Sequence, residues 1–234
     1  YLIEQGHEVR ALVRDLNRAT FLKEHVAELV CGDILENDMS EFLQGMDAII
    51  HAAAKFRGDY SEEMAFSVNV EATRKLAEAA LQAGVKRFVF ISTALVYSHN
   101  THNRPWRETD EILPQEPLYA KTKIAAEKTL FELQEKADID LRVMRVGFIY
   151  GDGDQHLTEF LPIMQKWAPE TVMALVHHKD VMQALSLAAT VSDVQGSIFN
   201  VADDMRMELK ELLSQVYPGN VQDPSNEYMH LPAF

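Results

Sequence analysis

The sequence has 234 residues, 47% of them hydrophobic, which is enough for one sizeable core with a smaller lobe beside it and too apolar for a disordered chain. Its formal charge of -14 excludes a protein that neutralises phosphates along a nucleic acid or docks by charge on an anionic membrane. A single cysteine, Cys31, excludes an internal disulfide and a CxxC zinc pair; no apolar run could span a bilayer and Tyr1 to Gly6 lacks the basic and apolar blocks of a signal peptide, so the cytoplasm is the expected compartment and no metal is implied.

Tyr1 to Gly6 reads as the end of a helix stopped by a C-cap glycine, so the chain is expected to begin inside an element. Short β-branched runs then alternate with stretches of helical spacing, the pattern of a parallel sheet with crossover helices. The expected strands are Val9 to Val13, Glu28 to Cys31, Ala48 to Ala52, Arg87 to Ser92 and Leu141 to Val146. Val68, Ala72, Leu76, Ala79, Ala80 and Ala83 predict a helix ending at Gly84. Pro117 opens a second helix that runs to about Lys136 and sets Tyr119, Lys123, Ala126, Leu130 and Leu133 on one face. Helical stretches from Leu157 to Trp167 and Lys179 to Ala189 follow, then a strand from Ser197 to Val201. The fold class expected is α/β, a doubly wound parallel sheet with a small C-terminal substrate lobe. Residues 1–149 form the dinucleotide-binding domain and 150–234 mainly the lobe, with 176–201 returning to the first.

Tyr119 and Lys123, at i and i+4, leave the same helix face, and a fixed cation there favours the phenolate. Upstream, a strand ends in Ser92-Thr93, hydroxyls at the carboxyl end where a parallel sheet meets its ligand. Such a hydroxyl could hold a substrate oxygen while Tyr119 moves its proton. His177-His178 is not read as a metal site, because neighbouring side chains on a strand point apart. Lys55, Phe56 and the loop from His99 to Arg107 follow sheet ends and are candidates to face substrate, as is Phe148.

Six ordered stretches resemble the extended short-chain dehydrogenase/reductase family: Gly32-Asp33-Ile34, His51 to Ala54, Asn69 to Thr73, Val85 to Thr93, Tyr119-x-x-x-Lys123 and Arg145 to Gly151. That resemblance implies Thr93 as the catalytic hydroxyl, Tyr119 as acid/base, and Lys123 as the residue that tunes it and holds the nicotinamide ribose. It implies that Asp33 and Ile34 flank the adenine, that Ala52, Ala53 and Ala54 line the dinucleotide, and that Asn69 is either a proton-relay residue or a helix residue bonded to nearby backbone. Arg14 falls where the second strand meets the adenosine ribose, which suits the 2′-phosphate of NADP over NAD, although Asp15 follows it directly. The family's first strand and glycine-rich turn would lie before Tyr1 and are absent from the chain. Ala94-Leu95 replaces the acids of sugar dehydratases, which disfavours elimination. The expected function is NAD(P)-dependent hydride transfer on a secondary alcohol or ketone, with reductase or dehydrogenase ahead of nucleotide-sugar epimerase. A non-catalytic dinucleotide-sensing regulator is the reading from another class. Expected partners are a small-molecule substrate and a second copy in a homodimer, with no nucleic acid and no membrane.

Overall fold

The computed structural model describes residues 1–97, 104–112, 117–154 and 156–216. Its centre is a parallel sheet of β3 (Ala48–His51), β4 (Arg87–Thr93), β5 (Asp140–Val146) and β9 (Ile198–Val201), in that order. β1 (Arg10–Val13) and β2 (Glu28–Cys31) form a separate parallel pair. The second edges of β1 and β3 carry no strand partner among the described residues. That is the position the family resemblance gives to its first strand. The fold is the doubly wound α/β type expected.

Alternation along β4 and β5 explains why both faces of the sheet are dry. Phe88 and Phe90 of β4, with Leu141 and Val143 of β5, enter one core together with Leu76, Ala77 and Ala80. Those last three come from α3 (Ala72–Gln82), and Ala126 and Leu130 of α4 (Leu118–Gln134) complete this layer. Val89, Met144 and Val146 enter a second core, against Val181 and Ala188 of α6 (His178–Thr190). Burying one such side chain is worth about 1.5–3 kcal/mol, so the two layers fix the strand register.

The helix expected before Gly84 begins earlier than its apolar spacing indicated. The Ser61 hydroxyl accepts the Met64 N–H and starts α2 (Glu62–Phe66), which passes through one π-turn at Ser67–Glu71 into α3. The two acids after Ser61 were the available signal. At its end, the N–H groups of Gly84 and Val85 bond the carbonyls of Leu81 and Ala80, with φ of +81° at Gly84. This is the closing motif for which glycine is best suited. Gly6 and His7 repeat the same bond pattern with Ile3 and Leu2.

Beyond β5 come β6 (Phe148–Tyr150), α5 (His156–Met164), β7 (Val172–Met173), β8 (Leu175–His177), β10 (Met207–Glu208) and α7 (Leu209–Val216). Met164, Trp167, Met173, Leu175, Leu209 and Leu212 make a third core of their own. Gly147, between β5 and β6, lies so close to β8 that a Cβ there would sit 2.4 Å from the Ala174 carbonyl oxygen, so no larger residue fits.

Candidate active site

The carboxyl ends of β1 and β3 and the start of the π-turned helix enclose a cavity of about 190 Å³. Arg14, Asp33, Ile34, His51, Ala53 and Ala54 are among its walls. Five of the residues expected to hold a dinucleotide are therefore gathered in one place. Ala52 and Lys123 are the exceptions: Ala52 is exposed, Lys123 lies on α4, and neither is part of this wall. The volume is below the roughly 300–1,000 Å³ of whole ligand sites and suits one end of an extended molecule.

The polar atoms around this cavity separate into used and unused groups. Asp15 accepts the Asn17 N–H at 2.9 Å as a helix cap, and Asp33 accepts the Leu35 N–H at 2.8 Å. The Arg14 guanidinium has no hydrogen-bond or ion-pair partner among the described residues. His51 is buried, and its Nε2 lies 2.9 Å from the Thr73 hydroxyl, whose own proton goes to the Asn69 carbonyl at 2.8 Å. Nε2 must then be the donor, which assigns the tautomer by elimination. Burial, aided by Lys123, holds the His51 pKa down from 6.5 to about 3.

This shift has a definite sign. Between pH 6.5 and about 3 the unfolded chain binds a proton at His51 that the folded chain refuses. Stability present above 6.5 is therefore lost as pH falls toward 3. We expect native protein to lose about 2–3 kcal/mol more than His51→Gln between about pH 7 and about pH 4.5. Urea midpoints at both pH values check this.

α4 presents Tyr119 and Lys123 on one face, as the four-residue spacing dictated. Lys123 is buried, with its ammonium 4.1 Å from the centre of the Phe90 ring and 5.9 Å from that of Tyr119. Neither the ammonium nor the Tyr119 hydroxyl has a hydrogen-bond partner among the described residues. The expected lowering of the phenol's pKa is not found. Burial, with Tyr60 nearby, pushes Tyr119 up to about 12, and burial draws Lys123 down to about 7. The cation lies on an aromatic face instead of at the phenol oxygen, so desolvation outweighs the pair's mutual attraction.

Thr93 ends β4, and its oxygen accepts the Leu95 N–H at 3.2 Å, leaving its proton without an acceptor among the described residues. The neighbouring Ser92 is buried and donates to Glu127. Asn69, in the π-turn, accepts the Lys55 N–H at 2.6 Å and donates to the Lys55 carbonyl at 3.0 Å and the Thr122 hydroxyl at 2.9 Å. It ties the segment after β3 to the start of α4. π-turns commonly mark functional sites because they re-aim one side chain.

Phe56 meets the Tyr119 ring edge-on at 4.6 Å, and Phe148 stacks on His156 at 4.5 Å and 10°. Phe160 completes an aromatic wall, 6.4 Å from Phe56 and 5.8 Å from Phe148. The Lys55 ammonium lies 5.4 Å from the Tyr60 ring centre. Sequence reasoning missed His156 and Arg57: Arg57 donates to His156 Nδ1 at 2.6 Å and pairs with Glu159 at 2.9 Å. No local pattern links positions so far apart in the chain. Of the loop from His99 to Arg107, residues 99–103 lie outside the described residues.

The expectation that His177 and His178 point apart is corrected. Their ring centres are 4.4 Å apart, because His177 ends a strand and caps α6 while His178 starts the helix. No group of three or more metal-ligating side chains occurs among the described residues.

Residues 1–202 match the model of the NAD dependent epimerase/dehydratase family, and the chain belongs to that family. It is 26% identical to the N-acetyl-alpha-D-glucosaminyl-diphospho-ditrans,octacis-undecaprenol 4-epimerase of Escherichia coli O157:H7, over 86% of this chain and 62% of that protein. It is 31% identical to a 3-beta-hydroxysteroid dehydrogenase of Mycolicibacterium neoaurum, over 77% of this chain and 50% of that one. The chain thus spans between half and two thirds of these relatives' lengths. The structure of MoeE5 in complex with UDP-glucose and NAD superposes with a TM-score of 0.77 at 24% identity, covering 99% of this chain and 80% of that one. No helix among the described residues is long and apolar enough to cross a membrane.

Proposed function

We propose that this chain is the body of a nicotinamide-dependent reductase or dehydrogenase that interconverts a secondary alcohol and its ketone. The observation that carries the reading is the Tyr119–Lys123 face of α4: a phenol and a buried ammonium side by side, both without hydrogen-bond partners among the described residues. Leaving a buried cation unpaired is costly, and a site tolerates it where a ligand completes the set. The residues present fit a dinucleotide: a cavity with small Ala53 and Ala54 on one wall and Arg14 at its edge, and an ammonium free to meet ribose hydroxyls.

When bound, the nicotinamide supplies or accepts the hydride. Tyr119 moves the hydroxyl proton of the substrate. Thr93, with its proton uncommitted, donates to the substrate oxygen and orients it. Lys123 in its charged form favours the phenolate once ligand brings the two groups into register. The wall of Phe56, Phe148 and Phe160 excludes water beside the reacting carbon.

Because Asp15 and Asp33 are engaged with backbone N–H groups and Arg14 is not engaged, the site favours the 2′-phosphate of NADP(H). Arg14→Ala is expected to weaken NADPH binding by about 10- to 100-fold, the loss of one charge-assisted bond, and to leave NADH within about twofold. Calorimetric titration of both cofactors checks it. Pairing of two copies through the long helices is part of this reading, and the solution mass decides it.

Nucleotide-sugar epimerisation is the second reading, favoured by the likeness to the 4-epimerase of Escherichia coli O157:H7. Both chemistries begin with the same alcohol oxidation. Net consumption of NADPH with a ketone panel supports the reductase. Mixing of epimers from nucleotide sugars with no net change in cofactor would replace it by the epimerase.

A further inference from the structure

Glu127 takes no part in the scheme above, yet it lies on the α4 face that carries Tyr119 and Lys123, one turn beyond the ammonium. It is fully buried. Its Oε1 accepts the Ser92 hydroxyl and the Arg145 Nε–H, the latter at 3.2 Å, and its Oε2 accepts the Arg145 Nη2–H at 2.7 Å. Arg145 also donates to the Tyr97 hydroxyl at 3.0 Å, which donates to Asn200 at 2.6 Å. The carboxylate is therefore held by β4, β5 and, through Tyr97, β9, and has no freedom to turn.

The groups around Lys123 can be counted by element. α4 contributes Tyr119 and Glu127; β3 contributes His51, held neutral; β4 contributes the Phe90 ring. Glu127 is the one anion of this set. We propose that Glu127 is a positioning residue for the acid/base pair: its fixed carboxylate keeps the Lys123 ammonium charged, and its bond to Ser92 anchors the strand end that carries Thr93 against the helix that carries Tyr119. This rests on the catalytic reading of Tyr119 and Lys123 given above.

The physical requirement is plain. Burial drives Lys123 toward the neutral amine, and Glu127 opposes it. A neutral amine could not stabilise a phenolate. The bidentate guanidinium of Arg145 in turn fixes the plane and position of the buried Glu127 carboxylate and compensates its charge. Ser92 immediately precedes Thr93, so its bond to Glu127 fixes the backbone from which the Thr93 hydroxyl projects.

The test follows the 13Cε chemical shift of Lys123 with pH in the whole protein carrying labelled lysine, with the signal assigned by its loss in Lys123→Met. In Glu127→Gln the acid dissociation constant of Lys123 is expected to rise about tenfold, moving its inflection to lower pH. Glu127→Asp, which keeps the charge, should hold it within about twofold. An unmoved inflection in Glu127→Gln, or an equal shift in both variants, overturns the proposal. If Glu127→Gln does not fold, the Glu127→Gln, Arg145→Met double variant is titrated in its place; the Arg145 cation that repels the ammonium is lost with the anion, so a smaller rise of about two- to threefold is expected, and no rise overturns the proposal. Hydride transfer by Tyr119→Phe judges the underlying reading separately, so failure of one is distinguishable from failure of the other.

Discussion

Tyr119→Phe should abolish most hydride transfer while leaving the cofactor bound. Removing a positioned general acid/base lowers kcat by about 10²- to 10⁴-fold, and the phenylalanine ring keeps the edge contact with Phe56 that the tyrosine makes at 4.6 Å. The hydroxyl has no hydrogen-bond partner among the described residues, so its loss leaves no neighbour unsatisfied. NADPH affinity and the thermal midpoint are expected to change little. Nicotinamide absorbance with a ketone panel, read beside a cofactor titration, separates loss of chemistry from loss of binding. Unchanged turnover would remove Tyr119 from the mechanism.

The second large effect concerns stability. Arg145→Met leaves the fully buried Glu127 without its cation and the Tyr97 hydroxyl without one donor. Breaking one side of a buried pair costs about 3–5 kcal/mol, whereas replacing both charges is far cheaper because no uncompensated charge remains. Arg145→Met should accordingly lie well below the Glu127→Gln, Arg145→Met double variant in urea midpoint. Equal losses in the two would mean that the pair is packing alone. The contrast also identifies the double variant as the more tractable background for titrating Lys123.

Much of the central sheet and its flanking helices was legible because its signals are local. β2 matched its expected bounds, Glu28 to Cys31, and β4 and β5 came within one residue, since short runs rich in valine, isoleucine and phenylalanine mark strands locally. The Gly84 cap and the Pro117 start of α4 were visible for the same reason: each depends on one residue's backbone geometry. The Tyr119–Lys123 face followed from helical spacing, and the same spacing carried one turn further would have found Glu127. Its ion pair with Arg145 could not be read, because it forms across the helix–sheet interface.

The remainder depends on contacts between distant segments. Arg57 and His156 meet through loop and helix packing that leaves no periodic trace. The π-turn at Ser67–Glu71 is a one-residue irregularity inside a helical pattern, and it is what turns Asn69 onto Lys55 and Thr122. The raised phenol and lowered ammonium were likewise beyond the sequence. Spacing gives proximity, but the balance between attraction and desolvation depends on how dry the site is.

The most direct measurement of the central claim is a fluorescence titration of the natural protein with NADPH and NADH in parallel. The account predicts saturable binding, tighter for NADPH, with the preference lost in Arg14→Ala. Binding of neither cofactor would contradict it and would leave Tyr119 and Lys123 as parts of a fold that has given up hydride chemistry.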